Sequence, residues 1–467
     1  MMKQVRELWP ILLLVVFGAI LRLHNVLEFS SYNSEIAQHY LETIKLLDGK
    51  WLLDGPLTSH PWLRLSSAPY YLFFPVFALF RFHPLTLPIL WTVTNSLIPL
   101  INFIIIKKVF DKKTAYISTF FLAISPGLLI LNDLPGFFDF IIPLTYILLL
   151  FTYRVIHNRQ SSVWPIFLVL GFMVTLHASA IILIPLYVGL VLYLKRHSLR
   201  VLFTSTIAFC VPNIPYLLND MLGHFQMTAQ LALWLPYKTV NFFSGKSIGL
   251  NRTKVPDSTL IDISNFFKNM FLSPEISWIV GLVIFSLFII VFVIKKKTIF
   301  ESFLYMWLIF AVITMIVHKN PPYHYFVPII LLPTILASKA LSDMINTKWV
   351  IFPILALIAL SDFMFIFSPK YFFRRSNNSY VFQMNIAQAI IKDSGNNEFS
   401  VTRIGEFDYY PNQFKDNYEY LLWWLGKPAN SKASIRYIII EKPSKLPEGK
   451  KGSVTFEDVK ATVIKEE

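Results

Sequence analysis

The sequence predicts a mainly α-helical protein, a polytopic bundle of transmembrane helices with a small extracytoplasmic α/β domain at its C-terminal end. Of its 467 residues, 55% are hydrophobic and only 15% are charged, whereas soluble domains carry about 25% charged residues. A helix needs roughly twenty apolar residues to cross the bilayer core. About eleven apolar runs approach or reach that length, at 8–27, 86–106, 114–132, 134–153, 163–179, 180–195, 200–218, 275–294, 300–317, 324–341 and 348–367.

The distribution of basic residues predicts the orientation of these spans. Lys3 and Arg6 precede the first run, and no small-residue cleavage site follows it, so we interpret it as a retained signal anchor. With these two residues inside, the basic clusters at 107–113, 154–159, 195–200 and 295–297 also fall inside. This requires that the short, proline-broken segment 69–82 does not cross, and we predict that it is an interfacial or re-entrant helix.

This orientation of the spans predicts a multi-pass membrane protein with a cytoplasmic N-terminus. The predicted segments are the first span (1–27), an outer loop with juxtamembrane helices (28–85), the transmembrane core (86–218), a second outer loop (219–274), the later spans (275–367) and the extracytoplasmic tail (368–467). In the tail, β-type runs occur at 399–404, 435–440 and 453–457, with an amphipathic stretch at 381–391. The net charge of +14 does not indicate nucleic acid, because the basic residues cluster at the ends of apolar runs.

Charged side chains gather in the first outer loop. Glu35, His39 and Glu42 are spaced i, i+4, i+7 and share one face of a helix. The opposite face is apolar, which predicts a helix lying on the membrane surface. Charges at this level usually mark function, although the alternative is an ordinary solvated face. His60 and Arg64 follow in the same loop and are candidates for binding a lipid phosphate.

Two further outer turns carry polar candidates. Asp133 is either a turn-former or a functional carboxylate, and Asp139 lies deeper in an apolar run, which favours function. His177 stands at an outer span junction, where a structural role is the alternative to a functional one. The late turn offers further phosphate ligands, for which the alternative is an interfacial anchor: His318, Lys319, Tyr323 and His324.

The sequence contains no Gly-rich phosphate loop, no paired Cys-x-x-Cys and no His-Glu-x-x-His. Charges on the outer surface then favour an enzyme with a lipid-borne donor, because nucleotide sugars and ATP are not available outside. No cofactor is required. Glu35 and Asp133 are hard oxygen ligands that would suit a divalent metal, which nothing in the sequence demands.

The order of several motifs resembles that of a known family. They are Ser34-Glu35 on the juxtamembrane helix, Leu53-Asp54-Gly55-Pro56, Pro69-Tyr70-Tyr71-Leu72, Ser125-Pro126, Leu176-His177, Tyr323-His324-Tyr325 and the tail segment Tyr420–Trp424. Together they resemble the C-type glycosyltransferases, the GT-C superfamily, in particular bacterial membrane enzymes related to protein mannosyltransferases and lipid A aminoarabinose transferases.

The resemblance implies transfer of a sugar from a polyprenyl-phosphate donor to an outer acceptor, which is a protein, a lipid or a polysaccharide. Glu35 would be the base, and Tyr71 belongs to the motif that would line the lipid groove. The family's catalytic aspartate falls on Ser34, whose hydroxyl cannot act as a carboxylate base. Three interpretations remain open: Glu35 is the base, Asp133 or Asp139 supplies it, or the protein binds the lipid without catalysis, with Ser34 among the contacts.

Two other classes of protein are alternatives. A flippase or transporter of lipid-linked sugars would place ionisable residues near the bilayer midplane and often shows two related halves; neither feature is evident here. An O-antigen ligase or polymerase would carry a large late outer loop. Here the early loop and the tail dominate.

Overall fold

Helices make up most of the computed structural model, which describes residues 2–24, 26–57, 63–158, 160–233, 236, 257–344, 348–373, 376, 378–405, 415–444 and 452–466. The helices are α1 (Met2–Leu23), α2 (Val26–Phe29), α3 (Ser34–Ile44), α4 (Ala68–Leu79), α5 (Thr86–Val109), α6 (Lys112–Ile124), α7 (Pro126–Leu131), α8 (Ile141–His157), α9 (Trp164–Leu176), α10 (Leu183–Tyr193), α11 (Leu199–Cys210), α12 (Ile214–Leu222), α13 (Thr259–Asn269), α14 (Ile279–Ile294), α15 (Ile299–His318), α16 (Leu332–Asp343), α17 (Lys348–Ile366), α18 (Pro369–Phe372), α19 (Tyr380–Ser394) and α20 (Asp416–Trp424). Four 3-10 turns interrupt them, at Phe137–Phe140, Ala178–Ile182, Val211–Asn213 and Tyr323–Ile329.

The apolar helices are those of a multi-pass membrane protein, but the predicted count of about eleven spans is not confirmed. Among the described residues, four helices are long and apolar enough to cross a membrane, and a fifth crossing results if the pair bent by 44° at Tyr323–Ile329 and α16 counts as one. Other predicted spans are apolar helices of 10–17 residues, or about 15–26 Å at 1.5 Å per residue. The predicted span 114–132 is divided by a break, since Ser125-Pro126 separates α6 from α7.

A buried arginine stabilises that break. Arg22 is 2% exposed, and its guanidinium donates to the carbonyl oxygens of Ala123 (3.0 Å) and Leu122 (2.9 Å). These carbonyls end α6, where Pro126 has no N–H to continue the helix. The positive charge also complements the negative end of the helix dipole. Asn132 donates to the carbonyl oxygen of Arg22 (3.1 Å), so α1 fixes the turn that leads toward Asp139.

Helices α9 and α11 pack closely at Gly171. A methyl group at this position would lie 2.5 Å from the carbonyl oxygen of Phe209 and 2.9 Å from Cγ of Pro212. We therefore expect Gly171→Ala to lower the free energy of unfolding by about 1–3 kcal/mol, the usual cost of overpacking. Gly189→Ala on α10 is the matched control, because nothing lies within 4 Å of its new methyl group. Equal thermal midpoints for the two variants would contradict this packing.

The tail folds as an α/β domain, as the sequence predicts. Its four-stranded sheet has the order β3-β4-β6-β5, where β3 (Phe399–Ile404) is parallel to β4 (Ile435–Glu441), and β5 (Ser453–Glu457) and β6 (Ala461–Glu466) add antiparallel pairs. The fourth strand, β6, was not predicted. The predicted amphipathic stretch lies in α19. A small hairpin of β1 (Asp54–Leu57) and β2 (Arg64–Ser66) belongs to the first loop.

The tail covers the apolar face of α3, which the sequence predicted to lie on the membrane surface. Tyr420 of α20 stacks on Tyr40 with ring centroids 4.9 Å apart, and its hydroxyl donates to the carbonyl oxygen of Phe82. The Ser34 hydroxyl donates to the side-chain oxygen of Asn417 (3.2 Å). The contact between tail and loop therefore fixes the helix that carries Glu35.

Candidate functional site

Glu35 lies in a recess of the protein surface. The side chain of Asn33 accepts a hydrogen bond from the Ile36 amide (3.0 Å) and so caps the start of α3. Glu35 follows in the first turn and is exposed to solvent. Protein nevertheless surrounds it closely enough that desolvation raises the pKa of its carboxyl. A carboxylate that water can reach and that is easier to protonate than usual suits a general base.

A second carboxylate stands behind Glu35. Asp139 is fully buried, and one of its oxygens accepts from the amide of Gly136 (2.8 Å). The other oxygen, Oδ1, has no hydrogen-bond partner in the described part of the chain. The charges of Glu35 and Asp139 lie close enough to repel. Two neighbouring carboxylates repel each other when both are ionised, so the pair readily holds one proton.

Aromatic rings form the wall of the Glu35 recess. His39 stacks on Phe137 with ring centroids 3.9 Å apart, and Phe73 also stacks on Phe137, with ring centroids 4.7 Å apart. Tyr70 is 1% exposed and lies within electrostatic reach of Glu35. Burial lowers the pKa of His39 to about 3, so the ring is neutral. The face of α3 predicted from spacing thus packs against aromatic residues at His39 instead of lying wholly in water.

One predicted cation approaches Tyr70, which lies in the wall of this recess. Arg64 is within electrostatic reach of Tyr70, as Glu35 is, and its Nε is 3.9 Å from Oδ1 of Asp54. Tyr71, by contrast, bonds the backbone of Leu52, accepting from its amide (2.7 Å) and donating to its carbonyl (3.0 Å). Tyr71 therefore holds the first loop in place. His60 lies outside the described residues.

The turn that contains His318 and His324 meets the turns near Phe138 and His177 in a second cluster. His177 and His324 have ring centroids 4.7 Å apart, and Phe138 contacts both. Tyr325 links His318 to this pair, at 4.7 Å from His318 and 5.1 Å from His324.

The two clusters are joined through Phe138 and Asp139, which are adjacent in the 3-10 turn Phe137–Phe140. Asp139 lies within electrostatic reach of Tyr323, whose hydroxyl donates to the carbonyl oxygen of Gly127 (3.0 Å). Most predicted site residues therefore gather at one end of the bundle. Lys319 instead lies near Asp257, at a turn that Asn320 ties to the start of α13 through the Thr259 hydroxyl (2.7 Å).

Two predicted residues take part in structural hydrogen bonds. Ser34 is 6% exposed and bonded to Asn417, so its hydroxyl faces the tail rather than the recess. The backbone oxygen of Asp133 accepts from the amide of Ser31 (2.8 Å), which ties its turn to the chain before α3. Sequence reasoning did not single out Tyr70 or Phe137. The motif Pro69-Tyr70-Tyr71 drew attention to that segment without distinguishing its two tyrosines.

Acidic residues meet where α20 approaches α3. Burial raises the pKa of Asp416 to about 6; Glu419 and Glu42 add to this rise, and Lys415 opposes it. The folded protein therefore holds this proton more tightly than the unfolded chain, and stability is lost as pH rises from about 3.8 to about 6. We expect Asp416→Asn to raise the thermal midpoint by about 2–4 °C at pH 7 and to leave it unchanged at pH 4.

Thermal unfolding of the purified protein at both pH values checks this expectation. The matched control is Asp48→Asn, because Asp48 is exposed and its oxygen lies 3.9 Å from the ammonium of Lys50. If Asp416→Asn raised the thermal midpoint equally at the two pH values, ionisation of Asp416 would not be the cause of the stabilisation.

A metal site would need several ligands to converge. In the described ranges, no group of three or more His, Cys, Asp or Glu side chains is arranged to hold a metal ion.

Comparisons with solved structures identify the fold. The chain is similar to ArnT from Cupriavidus metallidurans bound to undecaprenyl phosphate, with a TM-score of 0.58, 11% sequence identity and 98% coverage of both chains. It is also similar to the archaeal oligosaccharyltransferase AglB from Archaeoglobus fulgidus, in complex with an inhibitory peptide and a dolichol-phosphate, with a TM-score of 0.50, 12% identity and coverage of 94% of this chain and 70% of that one. No protein-family model and no curated protein matches the sequence. At this identity the likeness establishes the fold, which is the GT-C fold that the motifs imply.

Proposed function

We propose that the protein is a membrane glycosyltransferase that moves a sugar from a polyprenyl-phosphate donor to an acceptor outside the cytoplasm. The observation that carries the proposal is Glu35, a solvent-accessible carboxylate with a raised pKa, next to the buried carboxylate of Asp139. The fold supports it, since ArnT binds undecaprenyl phosphate and AglB binds a dolichol-phosphate.

In this mechanism Glu35 removes the proton from the acceptor hydroxyl. The acceptor oxygen attacks the anomeric carbon of the donor sugar, and the bond from that carbon to the phosphate oxygen breaks. Desolvation raises the pKa of Glu35 and so its basicity. Asp139, within electrostatic reach, is the member of the pair whose ionisation the charge of Glu35 disfavours.

The leaving polyprenyl phosphate needs positive charge or hydrogen-bond donors. Arg64 at the recess supplies a permanent cation, and the cluster of His177, His318 and His324 supplies ring N–H donors. We assign the lipid phosphate to the space between these groups. Phe73, Phe137 and their aromatic neighbours would pack against the sugar and the first isoprene units.

The test uses membranes that contain the full-length protein and a polyprenyl-phosphate donor with a radiolabelled sugar. Transfer of the label, or release of free polyprenyl phosphate, is the expected result, and a nucleotide sugar should give neither. A protein that binds the labelled donor but never releases the sugar would instead be a lipid-linked-sugar binding protein, the alternative that Ser34 favours.

A further inference from the structure

A basic cavity lies at the end of α9 opposite to the candidate site. It has a volume of about 360 Å³ and lies between the loop that precedes α9 and the loop between α10 and α11. Helix α9 starts beside this cavity, and its other end precedes His177. Thirteen residues of helix span about 20 Å, so the cavity is separate from the Glu35 recess.

Arg196 builds the cavity by joining the two loops. Its guanidinium donates to the carbonyl oxygens of Ser161 and Asn158, both at 2.9 Å. The preceding residue, Lys195, has a φ of 55° in the left-handed region. This allows the Arg196 amide to bond the carbonyl of Val191 (3.0 Å) and end α10. The backbone conformation at the end of α10 therefore places Lys195 and Arg196 at the cavity.

The lining is suited to an anion. Lys195, Arg196 and Arg200 contribute positive charge, with the hydroxyls of Ser161 and Ser162 beside them. No carboxylate appears among the described residues that line the cavity. The cavity also includes the first turn of α11, where the amides of a helix N-terminus favour negative charge. This combination resembles the basic pockets between transmembrane helices that bind anionic head groups.

A smaller apolar cleft, with a volume of about 30 Å³, lies beside this cavity. The two share Val201, and the cleft runs between α9, α10 and α11 past Phe167, Val188 and Leu202. Ser205 lies along it with its hydroxyl buried, so the open surface of the cleft is apolar.

The outer edge of the cleft remains apolar and exposed. Val188 is 40%, Leu192 52% and Leu202 46% exposed, all on helices that face the hydrocarbon region. A molecule that fills both spaces must therefore carry an anionic group at one end and a hydrocarbon chain at the other. A free phosphate ion would satisfy only the basic cavity.

We propose that this cavity is a binding site for an anionic phospholipid. Its phosphodiester group contacts Lys195 and Arg200, and one acyl chain lies along the open edge of the cleft past Val201. The positive-inside prediction places this lipid in the cytoplasmic leaflet. The site does not depend on the proposed glycosyltransferase activity.

Binding of short-chain phosphatidylglycerol to the detergent-purified full-length protein tests the proposal, measured by native mass spectrometry. Each cation near the surface contributes about fivefold to the affinity, so we expect Lys195→Gln/Arg200→Gln to bind about 25-fold more weakly. The matched control is Lys108→Gln/Lys296→Gln, which removes two charges from exposed basic positions at the predicted inner surface. It should stay within about twofold of the wild type, since neither residue lines the cavity.

Two further measurements distinguish a bound phospholipid from other ligands. Phosphatidylcholine should bind at least tenfold more weakly than phosphatidylglycerol, and inorganic phosphate should not displace the bound lipid at equal concentration. Ser205→Leu fills the cleft and should weaken lipid binding while leaving the basic cavity intact. The proposal is overturned if the Lys195/Arg200 variant, with an unchanged thermal midpoint, binds like the wild type, or if phosphate alone displaces the lipid.

Discussion

Glu35→Gln should lower the rate of sugar transfer by about 10²–10⁴-fold, the range that a general base contributes. The amide has nearly the same shape but cannot accept the proton of the acceptor hydroxyl. Binding of the donor should persist, because the aromatic wall and Arg64 are unchanged. Initial rates with saturating labelled donor, compared with donor retention on the same membranes, measure the two effects separately.

The control for this variant is Glu275→Gln, which removes an exposed carboxylate that pairs with Lys370 at 3.1 Å. It should transfer at the wild-type rate. If Glu35→Gln keeps full activity while Asp139→Asn loses it, the base is Asp139 and the assignment of Glu35 is wrong.

The pH dependence of transfer gives an independent check on the same residue. The base acts only when it is ionised, and desolvation raises the pKa of Glu35 above its ordinary value of 4.5. The rate should therefore fall as pH is lowered through a midpoint above 4.5, and the Gln variant should lack this limb.

Tyr420→Ala should produce the largest loss of stability among single changes in the tail. Tyr420 is fully buried, stacks on Tyr40 and donates to the carbonyl oxygen of Phe82. Removing a buried aromatic side chain costs about 3–5 kcal/mol. Because the lost contacts join α20 to α3, we expect the tail to separate from the loop and transfer activity to fall with it.

Limited proteolysis and thermal unfolding of the purified protein measure this effect. Tyr420→Phe keeps the stack and removes only the hydroxyl, so it should cost about 1–3 kcal/mol. Trp423→Ala, on the same helix but 37% exposed, is the control for loss of an aromatic side chain. Equal protease resistance of Tyr420→Ala and Trp423→Ala would show that Tyr420 does not hold the tail.

The class of fold could be predicted because composition and the length of apolar runs can be read from short stretches of the sequence. The α/β tail was predicted for the same reason, since β3, β4 and β5 are short runs of β-forming residues. The span count was harder to predict. Hydropathy does not record where a proline or a 3-10 turn interrupts a run, as at Ser125-Pro126.

Part of the candidate site could also be predicted from the spacing of nearby residues. The i, i+4 spacing of Glu35 and His39 places them on one face of α3, and the structure packs that face against Phe137. What covers the other face could not be predicted. Tyr40 meets Tyr420 across 380 positions of the chain, and no periodicity in a single sequence indicates such a pairing.

The contact between Ser34 and Asn417 has a consequence for biosynthesis, because its two residues are separated by 383 positions. At about 5–20 residues added per second, the ribosome needs roughly 20–75 s to extend the chain from one to the other. During that interval α3 has already emerged while its supporting surface does not yet exist. The enzyme we propose would therefore become competent only after α20 has been synthesised and has packed against α3. A ribosome that stops before α20 would leave a chain in which the helix that carries Glu35 lacks this support.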